Sequence, residues 1–348
     1  MNVATPASYR VLVLGTGFAR RVQIPVFAAH PRFEMAAVCS RDPARAEAVA
    51  REFSIPRHGA SWREMVVDPG VDLVSVVSEV AEHETQATAA LEAGKHLLLE
   101  KPPAVDLAAA ERIVRAAGNG RVAAINHEFR FRPEFLTLRR MLGEGALGAL
   151  RGIEVRTFLP FWADREAPTH GWLSLAERGG GLLGALGSHQ VDAVRFLTGS
   201  NVTSVLGEGW TVLPARRAPD GTDRPVTADD AASFVMTLEG GVRARVDLQA
   251  TLWWKENTIR VFGESGTATL GEEGLTLRAP NGTVTAVPPD PAFALSGDDP
   301  DIRKPLLARL LDHLARAMDG EPGPELATLE DGLATMRVLD AVRRRGGR

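Results

Sequence analysis

Cysteine is almost absent from this chain of 348 residues, with Cys39 the only one. An intrachain disulfide is therefore excluded, and no cysteine cluster points to zinc or an iron–sulfur centre, so no metal site is expected. Long apolar runs are lacking too. No stretch approaches the ~20 apolar residues that cross a bilayer, and the polar start from Met1 to Arg10 has no apolar core of a leader. These features predict a cytoplasmic protein with no membrane partner. Excess positive charge is also missing: the formal net charge is −4, which argues against nucleic acid or an anionic membrane as the main partner. There is no internal repeat and no low-complexity tract. Lysine is the last scarcity, since only residues 95, 101, 255 and 304 are lysines among 40 lysines and arginines. Where arginine is used almost everywhere, a lysine suggests a task for a compact ammonium whose pKa shifts readily on burial.

What is present is ordinary for a soluble globular protein, and the length predicts two domains. Arg10–Leu14 is a short apolar run that leads directly into Gly15-Thr16-Gly17-Phe18-Ala19-Arg20, followed by a helical pattern through Val22, Ile24, Val26 and Phe27. A strand, a glycine turn and a helix form the entry of a dinucleotide-binding domain: the first glycine allows the tight turn, and the second admits a pyrophosphate to the helix N-terminus. Arg20 stands where this fingerprint usually has a third small residue, so Ala19 is expected to provide the close packing. A second strand, Phe33–Val38, ends at Cys39-Ser40-Arg41-Asp42. An NAD site usually has a carboxylate near this point; Ser40 and Arg41 suit a 2′-phosphate better, which favours NADP with NAD as the alternative. The competing reading makes Arg41 a solvated turn residue and Asp42 a helix cap.

Strand and helix patterns then alternate to Ile125, which predicts right-handed crossovers and a doubly wound parallel sheet. Within this stretch Leu97-Leu98-Leu99 ends a buried strand, and Glu100-Lys101-Pro102-Pro103 follows at the carboxyl edge, where open α/β sheets bind ligands. Lys101 is either a catalytic ammonium placed to polarise an oxygen or an ordinary solvated lysine. Asn126 to Pro133 marks the passage to a second domain, giving boundaries of 1–125 and 126–348. His127 and Arg130 in this segment meet substrate or pin the domains together. Phe161-Trp162 and His170-Gly171-Trp172 are aromatic; Trp162 or Trp172 stacks on a ligand or fills core. Gly187-Ser188-His189 opens a helix to Gly199, with Ser188 as the expected N-cap and Gly199 as the stop. His189 and Asp192 fall on one face of it. His189 is the candidate acid/base, against the plainer reading of a histidine hydrogen-bonded at a helix start. Asp192 is expected to orient it or to brace the helix. Beyond Val202 the patterns are those of strands, with Gly240-Gly241 as a hairpin turn and a polar loop from Pro214 to Pro225. They predict a mainly antiparallel sheet covered by helices on one side. Two helices close the chain, from Lys304 to Met318 and from Thr328 to Arg345.

Gly15-Thr-Gly17, Leu91-Glu-Ala-Gly94-Lys-His96, Glu100-Lys101-Pro102, Gly145-Ala-Leu-Gly148 and Gly179-Gly-Gly181…Gly187-Ser-His189…Asp192 together resemble the glucose–fructose oxidoreductase/inositol dehydrogenase (Gfo/Idh/MocA) family. The resemblance runs along essentially the whole chain. It implies an NAD(P)-dependent oxidoreductase that moves hydride between nicotinamide and a hydroxyl or carbonyl of a sugar, cyclitol or related polyhydroxylated substrate. It implies a Rossmann domain followed by an α+β domain with a large open-faced sheet, through which the protein is expected to form a homodimer or homotetramer. Lys101 and His189 are then the catalytic candidates. Gly15, Thr16, Gly17, Phe18, Ala19, Ser40, Arg41, Ser78, His83, Glu100, Lys101 and Pro102 are the cofactor candidates, with Pro102 often following a cis peptide in the family. His127, Arg130, Trp172 and Asp192 are the substrate candidates. Two departures stand out. Ser78-Glu79-Val80 replaces the frequent Thr-Pro-Pro or Thr-Pro-Asn turn, and Ala185 occupies the place of an aspartate that commonly binds a substrate hydroxyl. The second departure argues against plain inositol dehydrogenase activity. It also motivates the alternative of a catalytically silent, cofactor-bound sensor or regulatory protein.

Overall fold

The computed structural model describes residues 8–118, 120–297 and 299–346; most of the polar start lies outside them. Among the described residues no helix is long and apolar enough to cross a membrane. The chain forms two compact units, one of residues 1–104, 108–131 and 295–333, the other of residues 105–107, 132–294 and 334–348.

Among the described residues the first unit is built on six strands: β1 (Tyr9–Leu14), β2 (Phe33–Cys39), β3 (Arg57–Gly59), β4 (Leu73–Val76), β5 (His96–Leu99) and β6 (Ala123–Ile125). They lie in the order β3-β2-β1-β4-β5-β6, and every neighbouring pair is parallel. This is the doubly wound sheet expected from the alternation, with its switch point between β1 and β4. Val11 to Leu14, Leu73, Val74, Val76 and Leu97 to Leu99 are all buried, because crossover helices cover both faces of a parallel sheet.

The first unit departs from the 1–125 boundary at its far end. The helix Arg303–Met318 places Leu306, Leu307, Leu310, Leu311 and Leu314 in the same core as Val11, Val13, Ile24, Phe27 and Phe131. Each of these buried leucines contributes roughly 2 kcal/mol, so the apolar stripe docks the helix on this unit. Residues 327–328 also lie along β6: Ile125 donates to the Ala327 carbonyl at 2.9 Å, and Ala124 bridges Thr328. Sequence order assigns this segment to the second domain; packing assigns it to the first.

The second unit carries eight strands: β7 (Leu150–Phe158), β8 (Val202–Trp210), β11 (Ala231–Leu238), β12 (Arg243–Gln249), β13 (Glu256–Gly263), β14 (Gly266–Gly271), β15 (Gly274–Arg278) and β16 (Val284–Val287). A small hairpin of β9 (Ala215–Arg217) and β10 (Asp223–Pro225) occupies what the sequence reads as a polar loop. The order is β16-β15-β14-β13-β7-β12-β11-β8. All pairings are antiparallel except β12 with β7, which makes the sheet mixed. Ile153, Val155, Phe234, Met236, Ala244, Val246, Leu248, Ile259 and Val261 are buried on one face. The alternate residues carry charge, with Glu154 bonded to Arg156 and Arg260. This alternation predicts helical cover on one face only.

Candidate active site

The glycine turn is fixed by sterics. Gly15 has φ +109°, and a Cβ there would stand 2.6 Å from the Val77 carbonyl oxygen. Only glycine brings β1 so close to the end of β4 in that conformation. At Gly17 nothing lies within 4 Å of the Cβ position, which leaves room for a ligand at the turn. Thr16 donates to Ser40 Oγ at 3.3 Å, tying the turn to the end of β2. Ala19 is fully buried, as the packing argument requires, and Phe18 lies under the Arg303 guanidinium, 5.3 Å from ring centroid to charge. The helix after the turn comes in two pieces, Phe18–Arg21 and Gln23–Ala29, with Val22 as the break. These residues fit a dinucleotide pyrophosphate.

At the end of β2 both alternatives find a place. Asp42 caps the Pro43–Glu52 helix by accepting from Ala44 and Arg45. The Arg41 guanidinium bonds Glu79 Oε1 at 3.0 Å, so the residue that replaces the family's proline is the ionic partner of the candidate 2′-phosphate ligand. Ser78 donates to Gln86 at 2.8 Å. His83 is 1% exposed, with Nδ1 3.1 Å from the Pro102 carbonyl and Nε2 3.2 Å from that of Ser78. Burial pushes its imidazole down to about 4. His83 thus braces two loops against each other.

The carboxyl edge of β5 holds a buried polar network. Glu100 Oε1 accepts from Gln23 Nε2 and Asn126 Nδ2, both at 2.6 Å, and Oε2 accepts from the Lys101 backbone N–H at 3.2 Å. Ser75 donates to Gln23 Oε1 at 2.6 Å. Thus β4, β5, β6 and the glycine-turn helix converge on one carboxylate, which is buried by these partners and serves as a brace. The Lys101–Pro102 peptide is cis. Lys101 itself is half-buried. Glu128, in the turn after β6, is 4% exposed, and among the described residues its Oε2 has no hydrogen-bond partner; the same holds for Asn126 Oδ1. Burial, and then the Glu100 charge, push the Glu128 carboxyl up to about 7.

Arg130 is 4% exposed and engaged within the first unit, bonding Asp331 at 3.2 Å and reaching the Glu325 carbonyl at 3.5 Å. It clasps the 295–333 segment. His127 beside it is 1% exposed.

In the second unit Trp162 lies beneath Arg216, 3.7 Å from charge to ring centroid, and Arg216 pairs with the fully buried Asp230 at 3.0 Å. Trp162 is thereby core, whereas Trp172 opens a short turn and stays half-buried. Leu183–Gly187 forms a π-helical turn that continues into the Ser188–Thr198 helix, so the helix starts earlier than the serine. Ser188 is not its N-cap: its hydroxyl donates back to the Gly184 carbonyl at 2.7 Å. Gly199, at φ +66°, ends the helix as expected. His189 and Asp192 are both buried on this helix, 6% and 2% exposed. The Leu183 N–H donates to Asp229 at 2.6 Å, which anchors the π turn.

Sequence reasoning assigned no role to Gln23, Glu79 or Glu128. A polar residue at a buried helical position was the available signal for Gln23. Glu79 and Glu128 act through partners distant in sequence, which no local pattern reveals.

Residues 9–127 match an oxidoreductase family with an NAD-binding Rossmann fold, and residues 135–269 match the Gfo/Idh/MocA C-terminal domain. An uncharacterized oxidoreductase of Synechocystis sp. is 33% identical over 76% of this chain and 72% of its own. The chain belongs to the Gfo/Idh/MocA oxidoreductase family. A 1,5-anhydro-D-fructose reductase of Ensifer adhaerens is 30% identical over 89% of this chain and 87% of its own. A levoglucosan dehydrogenase crystallised with NADH and L-sorbose shares the fold, with a TM-score of 0.87 at 20% identity over 96% of both chains. The Gfo/Idh/MocA chain therefore has the NAD(P)-binding Rossmann unit of an oxidoreductase family that includes sugar-acting members.

Proposed function

We propose that this protein is an NAD(P)-dependent oxidoreductase that interconverts a hydroxyl and a carbonyl on a sugar, cyclitol or related polyhydroxylated molecule. The single observation that carries the reading is Lys101 at the carboxyl edge of β5, next to a glutamate fixed by three N–H donors. The relatives named for anhydrofructose and levoglucosan support the substrate class. Gly15 to Ala19 would hold the pyrophosphate, and Ser40 with Arg41 would receive the 2′-phosphate of NADP. Glu79, already on Arg41, would weaken that preference and admit NAD. When bound, the nicotinamide supplies the hydride acceptor or donor. Lys101 would polarise the reacting oxygen and stabilise negative charge on it. His189, oriented by Asp192, would take or return the hydroxyl proton, and Trp172 would offer a ring to the sugar's C–H face. The protein would assemble as a homodimer or homotetramer through the outer face of the large sheet, where Leu206 and Trp210 are exposed on β8.

The test begins with calorimetric titration of NADP(H) and NAD(H), followed by a sugar and polyol turnover screen with the tighter pair. Lys101→Met is expected to lower kcat by about 10³-fold while cofactor affinity stays within about threefold. Wild-type turnover in that variant would refute the assignment. Cofactor binding without turnover on any polyol would favour the sensor reading that Ala185 motivates.

A further inference from the structure

The cofactor reading leaves one part of the first unit without a task. Glu128 is a carboxyl in the turn after β6, 4% exposed, with a buried oxygen that has no partner. Its neighbour in the cluster, Glu100, is pushed up by burial, but it accepts three N–H bonds that favour its charged form, and Glu128 has no such donors on its buried oxygen. Asn126 Oδ1 is a second buried acceptor with nothing donating to it. Neither buried oxygen has a donor among the described residues, and a proton on Glu128 leaves its own carboxyl neutral instead of an unsatisfied buried charge. Two ionised carboxylates in one buried cluster would also repel.

The location gives this proton a use. A dinucleotide spans the two halves of a doubly wound sheet, one nucleotide on each side of the switch point. Ser40 and Arg41 follow β2, so the adenosine half belongs over β1 to β3. The nicotinamide half then falls over β4 to β6, where Glu100, Lys101, Asn126 and Glu128 follow their strands. The oxidised ring is a cation and the reduced ring is neutral.

Resting on the cofactor reading above, we propose that Glu128 stores a proton beside Glu100 and releases it to solvent when the oxidised nicotinamide ring binds, and keeps it when the reduced ring binds. The step is an ionisation: the Glu128 O–H bond breaks, its electron pair stays on the carboxylate and water accepts the proton. The incoming positive charge takes over the balance that the proton supplied. The charges facing Glu128 are Glu100 and Lys101 from the loop after β5 and Arg303 from the helix packed on its turn. His127 and Arg130 share its own segment, and His313 of that packed helix lies against Phe131. Arg303 is itself held by Asp301 at 2.7 Å. Glu128 thus acts as a positioning residue that couples protons to the redox state of the cofactor.

Calorimetric titration of the whole protein with oxidised and reduced cofactor, in phosphate and in Tris, reads the protons exchanged per binding event. At pH 7 the oxidised form is expected to expel up to about half a proton that the reduced form does not, and Glu128→Gln should abolish the difference. Equal proton counts for both forms in the native protein would overturn the proposal, as would a difference that survives in Glu128→Gln. Arg303→Gln gives a second test should the first variant not fold. Loss of that cation is expected to move the midpoint of proton release to higher pH, and an unmoved midpoint would overturn the proposal. If neither cofactor form binds, the oxidoreductase reading falls and this inference falls with it; binding with equal counts removes only the inference.

Discussion

The two units hold their candidate chemical groups in opposite ways. In the first, Gln23, Ser75, Glu100, Asn126 and Glu128 come from three strands and a helix far apart in sequence, and they meet as buried polar atoms within one cluster. In the second, His189 and Asp192 lie within a single helical turn, set by the π turn Leu183–Gly187 just before them. A perturbation of the first cluster therefore acts through backbone closeness and charge. One in the second acts through the seating of a helix on aliphatic side chains.

The sharpest way to break the comparison is at Gly15. A methyl group there would stand 2.6 Å from the Val77 carbonyl oxygen in a backbone conformation at φ +109°. Since the obstacle is backbone on a central strand, nothing can move aside cheaply. Gly15→Ala is expected to lower stability by on the order of 4 kcal/mol and to weaken dinucleotide binding by more than about 100-fold. Urea unfolding and calorimetry would read both, and an unchanged unfolding midpoint would show that the turn is looser than its geometry states.

Charge rather than backbone sets the next effect. Burial and the Glu100 charge push the Glu128 carboxyl up to about 7 from an ordinary 4.5. Its contribution to stability is full below pH 4.5, where folded and unfolded chains both hold the proton, and is lost as pH rises toward 7, because only the unfolded chain ionises in that window. Glu128→Gln is therefore expected to match the native protein near pH 4 and to exceed it by about 3 kcal/mol at pH 8. Equal stabilities at pH 8 would remove the buried-charge account of this unit.

The parallel sheet, the glycine turn and the Glu100-Lys101-Pro102 edge were legible because each is encoded locally, by an apolar run and the residues next to it. The placement of Arg303–Met318 was not. Its leucine stripe announces a buried helix but carries no address, and only packing sends it to the first unit. The Ser188 N-cap expectation failed for a related reason: a serine before an apolar helical pattern reads as a start, while Leu182 and Leu183, both fully buried, pull the helix further back. Glu79 was visible as a departure from the family turn, yet its meaning required its distance to Arg41.

That ion pair yields a smaller effect, worth about one factor of ten. Arg41 is largely exposed and Glu79 competes with any 2′-phosphate for it. Glu79→Gln is expected to raise NADP affinity about tenfold relative to NAD, an amount suited to one partly solvated pair. Titration of both cofactors into both proteins would read the ratio, and an unchanged ratio would place the 2′-phosphate away from Arg41.

The smallest effect sharpens the contrast, because it places the same substitution in the other unit. Gly187 ends the π turn with ordinary helical φ −57°, and a Cβ there would meet Leu248 Cδ1 at 3.1 Å, Leu183 Cδ2 at 3.4 Å and Leu339 Cδ2 at 3.6 Å. Those neighbours are the ends of leucine side chains, which can shift by a few tenths of an ångström, unlike a strand carbonyl. Alanine also favours helix over glycine by up to about 1 kcal/mol, which offsets the crowding. Gly187→Ala is therefore expected to change stability by less than about 1 kcal/mol, against the several expected at Gly15. If unfolding showed the two losses to be alike, the helix that carries His189 would be as rigidly seated as the glycine turn, and the distinction between a site fixed by backbone and charge and a site fixed by side-chain packing would be gone.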